Sequence, residues 1–147
     1  MDLHPDFKEF IELLNEYEVR YLVVGGYAVG AYGRPRYTGD IDFWIAISIE
    51  NSAKVVQVLN DFGFGSIGLK QEEFLKEDIV IQLGYEPVRI DILTSLTGLK
   101  FNDCYSNLSE IIIDNIPIKF ISLDDLKKNK SITGRKKDLG DVEELEK

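Results

Sequence analysis

The apolar run Tyr21-Leu22-Val23-Val24 stops at Gly25-Gly26, and strand-forming residues resume at Asp40-Ile41-Asp42-Phe43. A short apolar run closed by paired glycines predicts a buried strand handing over to a new element. The next stretch, residues 27–33, reads YAVGAYG; it is small and apolar and predicts a tightly packed helix ending near Gly33. Residues 40–47 then alternate, with Ile41, Phe43, Ile45 and Ile47 on one face and Asp40, Asp42, Trp44 and Ala46 on the other. Strand, glycine turn, helix and strand in this order predict an α/β (α+β) chain: a mixed β-sheet with flanking helices.

The rest of the chain supplies further elements. Behind Pro5, the residues Phe7, Phe10, Ile11, Leu14 and Tyr17 recur at helical spacing and predict a helix over 5–17. A helix over about 50–62 carries Val55, Val56, Leu59 and Phe62 as its stripe. Gly63, Gly65 and Gly68 mark a link, with a short helix near 72–76. Residues 79–83 and 88–93 read as strands joined through Gly84-Tyr85-Glu86-Pro87. A second pair, 111–113 and 118–120, flanks Asp114-Asn115, and Pro117 suggests a sheet edge there. Ser122 with Asp125 resembles a capping box, and a last helix is expected over about 136–145.

At 147 residues the chain is expected to form one domain over 1–147, with a core that needs no disulfide or structural metal. Its one cysteine, Cys104, cannot form an internal bridge, and the first residues lack the pattern of an export signal. Both fit a reducing cytoplasm. No apolar run reaches membrane-spanning length, so no membrane partner is expected. A formal charge of −9 argues against broad wrapping of nucleic acid, although a small basic pocket remains compatible with it.

The acids carry the chemistry. Asp40 and Asp42 point the same way from a strand, roughly 7 Å apart at their Cα atoms. The plain alternative is a strand end meeting solvent. Ile41 and Phe43 argue for burial instead, and a half-buried like-charge pair is costly without a cation or a shared proton. Carboxylate oxygens are hard ligands suited to Mg²⁺ or Mn²⁺. Asp91, in the apolar run VRIDIL, shares a face with Arg89 and Leu93. Alone it would read as one half of an Arg89–Asp91 pair; read with Asp40 and Asp42, it completes three carboxylates able to hold two metals. Gly25 and Gly26 stand where backbone N–H groups and a helix N-terminus can hold phosphate oxygens, the alternative being a tight structural turn.

The Gly25-Gly26 pair, the run R-P-R-Y-T-G-D-I-D-F at 34–43 and I-D-I at 90–92 together resemble the DNA polymerase β-type nucleotidyltransferase superfamily. The resemblance is to its small single-domain bacterial branch, including abortive-infection and toxin–antitoxin nucleotidyltransferases, and it covers most of the chain. The ending S-L-D-D-L-K-K-N-K-S-I-T-G-R-K-K-D-L-G-D is also similar to the tail of these proteins. One departure is Gly26, where serine is the commoner residue. The resemblance implies a nucleotidyltransferase fold, two Mg²⁺ or Mn²⁺ ions on Asp40 and Asp42, and Asp91 on the ion that activates an acceptor hydroxyl. That hydroxyl would attack the α-phosphorus of a nucleoside triphosphate such as ATP, releasing pyrophosphate, with Gly25 and Gly26 cradling the phosphates. The acceptor is left open among RNA, protein and a small molecule, and a homodimer or partner chain is a candidate to complete its pocket.

Further candidates come with plainer readings. Arg36 and Thr38 match the superfamily's R-x-T-x-D spacing and could neutralise phosphate; Arg34 and Arg36 could equally pair with surface acids. Residues 127–137 hold six basic side chains and no acid. Lys130 and Arg135 there could reach a triphosphate or RNA, or could simply complement a helix C-terminus. Trp44 could stack on a base but fits a core position better. His4 reads as a surface residue, and Cys104 has no partner residues for zinc or thiol chemistry. Two other functional classes compete: a non-catalytic nucleotide-binding or toxin–antitoxin module on the same fold, and a metal-dependent nuclease or phosphatase, which would not need the glycine turn.

Overall fold

The computed structural model describes residues 3–33, 39–85, 87–134 and 136–146. In chain order the elements are α1 (Pro5–Glu16), β1 (Tyr21–Val24), α2 (Gly25–Tyr32), β2 (Asp40–Ile45), α3 (Ile49–Phe62), β3 (Val80–Tyr85), β4 (Val88–Leu93), α4 (Phe101–Tyr105), β5 (Ser109–Ile113), β6 (Ile116–Phe120), α5 (Leu123–Thr133) and α6 (Lys136–Leu145). Two short 3₁₀ turns, Gly65–Ile67 and Gln71–Phe74, occupy the glycine-marked link. The six strands form one mixed sheet in the order β3-β4-β2-β1-β6-β5. β2 lies antiparallel to β1 and parallel to β4, while β1 and β6 are parallel. The fold expected from the sequence is therefore the fold observed.

The helices cover the sheet for reasons visible in their residues. His4 caps α1, its Nδ1 accepting from the Asp6 N–H at 3.1 Å, and Pro5 follows where no N–H is needed. Phe7, Phe10, Ile11 and Leu14 form the buried stripe of α1. Phe10 meets Phe43 of β2 at 5.4 Å and Phe62 of α3 at 5.1 Å between ring centroids. Burying a side chain of this size stabilises by about 1.5–3 kcal/mol, so this aromatic trio anchors α1 and α3 on one sheet face. On the opposite face Trp44 packs edge-on against Phe101 of α4 at 5.2 Å.

Three local features differ from the sequence reading. β2 ends at Ile45 instead of running to Ile47, because the buried Asn51 side chain intervenes. Its Nδ2 donates to the carbonyls of Ala46 at 2.9 Å and Arg20 at 3.1 Å, and its Oδ1 accepts from the Arg20 N–H at 2.8 Å. Pro117 lies in β6, an inner strand; β5 is the edge. The proline is tolerated because β6 pairs with β1 only at Val23–Phe120, beyond Pro117. Finally, α4 has too short a pattern to be read from the sequence.

Candidate active site

The central ladder assembles the acids. β2 and β4 run side by side in parallel, and the register sets Asp42 opposite Asp91 and Asp40 opposite Arg89. Equivalent strand positions share a face, so three carboxylates converge on one side of the sheet. One oxygen from each of Asp40, Asp42 and Asp91 lies within 4.8 Å of the others. Asp91 is 5% exposed, while Asp40 and Asp42 are half-buried.

On its other flank Asp42 lies opposite Val24 of β1, and Gly25 comes next. The sequence suggests a glycine turn preceding a helix; in the structure Gly25-Gly26 is itself the first turn of α2, with Val24 as its N-cap. The sharp handover uses a left-handed backbone at Gly25, φ +69°. A Cβ there would sit 2.1 Å from Asp42 Oδ2, so only glycine lets the helix start close against the carboxylate. No side chain caps α2. Its first-turn N–H groups are thus those of a helix N-terminus suited to an anion beside the acids.

Three acids held this close repel one another. Burial first, then the neighbouring charges of Asp40 and Asp91, push the Asp42 carboxyl up from 3.8 to about 8. A cation held beside it would relieve that cost. Arg89 supplies part of the compensation. Its Nε donates to Asp91 Oδ1 at 2.9 Å, its Nη2 donates to Asp91 Oδ2 at 3.1 Å, and Nη2 also lies 3.6 Å from Asp40 Oδ2. The Arg89–Asp91 pairing and the acid cluster, two competing readings of the sequence, thus coexist in one site. Three hard oxygen donors gathered on one face fit a hard divalent cation.

Gly26 is half-buried in the first turn of α2. Arg34, Arg36, Thr38 and Arg135 lie outside the described residues. Lys130 is buried in α5, with its Nζ 3.5 Å from Asp141 Oδ2 of α6. Trp44 is 1% exposed and belongs to the core. Cys104 is buried, and burial pushes its thiol up to about 12, which makes it a poor nucleophile. One neighbour of the site has no signal in the sequence: a cleft of about 660 Å³ beside the β3–β4 turn, lined by Phe64, Ile67, Leu83, Tyr85 and Arg89. Among the described residues, no helix is long and apolar enough to cross a membrane.

A search of curated proteins finds no match to the sequence. Among solved structures, the fold is similar to the "Crystal structure of lincosamide antibiotic adenylyltransferase LnuA, lincomycin-bound". That likeness has a TM-score of 0.59 at 16% identity and covers 99% of this chain and 97% of the other. The model of a protein family, described as "Nucleotidyl transferase of unknown function (DUF2204)", matches residues 4–147. With nearly the whole length matched and the fold in agreement, the chain belongs to this nucleotidyltransferase family.

Proposed function

We propose that residues 1–147 form one nucleotidyltransferase domain that moves a nucleoside monophosphate from a triphosphate to a hydroxyl group, releasing pyrophosphate. The observation that carries this reading is the convergence of Asp40, Asp42 and Asp91 within 4.8 Å, beside a helix N-terminus that starts at Gly25. Asp40, Asp42 and Asp91 would hold two Mg²⁺ or Mn²⁺ ions. When bound, such ions polarise the phosphate, ease loss of the attacking hydroxyl's proton and neutralise the leaving pyrophosphate.

The chain's own groups do the rest. Asp42, whose charge burial and its neighbours disfavour, would be the carboxylate most relieved by a bound cation. Gly25 and Gly26 offer backbone N–H groups to the triphosphate without a side chain in the way. Asp91, fixed opposite Asp42 by the ladder, would hold the ion that activates the acceptor hydroxyl for in-line attack. Arg36, Thr38 and Lys130 remain candidates for the phosphate side. The acceptor is proposed among RNA, protein and small molecules; the antibiotic named with the LnuA structure adds weight to the last.

The test is direct. Each nucleoside triphosphate, ATP first, is added with Mg²⁺ and a pool of candidate acceptors, and pyrophosphate release is followed together with transfer of label from the α-phosphate. Release that needs the divalent ion and disappears with EDTA supports the proposal. Tight nucleotide binding without label transfer to any acceptor class would instead favour a binding module, and release of orthophosphate a hydrolase.

A further inference from the structure

Arg89 stands inside the carboxylate cluster, not beside it. Its two hydrogen bonds, at 2.9 and 3.1 Å, engage both oxygens of Asp91, and its Nη2 lies 3.6 Å from Asp40 Oδ2. These carboxylates are two of the three that form the candidate ligand set. A guanidinium stays protonated at any working pH, so its charge leaves these oxygens only if the side chain moves. The structure provides somewhere to go. The β3 position in register with Arg89 is Gly84, which has no side chain, and both residues line the cleft of about 660 Å³ beside the turn.

We propose that Arg89 is a resident counter-cation of the site: it engages Asp91 and Asp40 until a divalent ion binds, then swings off them and offers its guanidinium to the nucleotide's phosphates. The inference rests on the metal-dependent reading given above. Its signs follow from charge. While Arg89 holds the ligand oxygens, it repels an incoming cation and competes for the same lone pairs, so its removal tightens metal binding. With triphosphate present, the same fork becomes a phosphate donor, so its removal weakens nucleotide binding. A residue that only oriented Asp91 would give a different pattern, because losing it would weaken metal binding as well.

Two measurements decide. Mn²⁺ binding to the nucleotide-free protein is titrated by electron paramagnetic resonance in the wild type, Arg89→Gln and Arg89→Lys. Binding of Mg²⁺ with a non-hydrolysable α,β-methylene triphosphate is followed by calorimetry in the same three proteins. Arg89→Gln should lower the Mn²⁺ Kd about tenfold and raise the analogue's Kd by a similar factor, with Arg89→Lys between. In the wild type, free of any folding defect, the Arg89 Nε–H resonance, identified by its loss in Arg89→Lys, should shift as Mg²⁺ saturates. Unchanged or weaker Mn²⁺ binding in Arg89→Gln, or a resonance unmoved at saturation, overturns the proposal. A wild-type protein that binds no Mn²⁺ overturns the metal-dependent reading beneath it as well.

Discussion

Replacing Asp42 with asparagine should stabilise the metal-free protein while abolishing nucleotide transfer. The folded state holds a proton on Asp42 that the unfolded chain releases, because the carboxyl rises from 3.8 to about 8 on folding. At pH 7 that proton is held a little over three units above the ordinary value, and at about 1.36 kcal/mol per unit the ceiling on the cost is roughly 4 kcal/mol. Water reaches the half-buried Asp40 and Asp42, and such screening brings the expectation down to about 2 kcal/mol. For a chain of this length, that is a rise in Tm of about 4–8 °C.

The sign gives a second signature. Between the unfolded and folded values the native protein binds the extra proton, so wild-type stability falls as pH climbs from about 4 towards 8 and then levels off. An asparagine amide does not titrate. The gain from Asp42→Asn should therefore be near zero at about pH 4 and reach its full size near pH 8. Saturating Mg²⁺ and nucleotide should invert the order, because only the wild type gains the binding free energy. Calorimetric melts of both proteins across this range, with and without Mg²⁺, test each part. A variant that melts below the wild type without metal, a gain that ignores pH, or retained pyrophosphate release would refute the reasoning.

Gly25→Ala places a Cβ 2.1 Å from Asp42 Oδ2 on a backbone at φ +69°. It should destabilise by about 1–3 kcal/mol and sharply reduce transfer; a variant with normal melting and turnover would mean that the carboxylate can yield at no cost. Lys130→Met breaks a buried ion pair and should cost about 3–5 kcal/mol by denaturant unfolding, with much of it recovered in Lys130→Met/Asp141→Leu. If Lys130→Met instead leaves stability unchanged and weakens nucleotide binding, the lysine serves phosphate and not the α5–α6 contact.

Much of this site could be read from the chain because its parts are local. The break at Gly25-Gly26 and the i, i+2 spacing of Asp40 and Asp42 are properties of single segments, and the sheet preserves both. Asp91 needed a further step. Its approach to Asp42 depends on β2 and β4 being adjacent, parallel and in register, a pairing set by the whole sheet. Lys130 sits in a basic run that suggests a phosphate or RNA contact or a complement to a helix C-terminus, yet a contact between α5 and α6 buries it against Asp141. Trp44 follows the polar side of its strand by alternation and is buried because α4 covers that face, which no period-two pattern records. Charge-pair geometry lies further from reach. That Arg89 grips Asp91 is one option open to the sequence; that it also approaches Asp40 follows from the parallel pairing of β2 with β4.

The Asp42–Asp91 register carries one more consequence. The two carboxylates hang from neighbouring inner strands, so the backbone ladder that spaces them is the same ladder that holds the middle of the sheet together. Loops can fray, the β3 edge can peel and the last helix can detach without changing that spacing. The geometry is lost only when the central strands separate, and that is the cooperative event of unfolding itself. Under increasing denaturant, competence for chemistry and the folded state should disappear together, with no intermediate that keeps its core but has lost its acid pair.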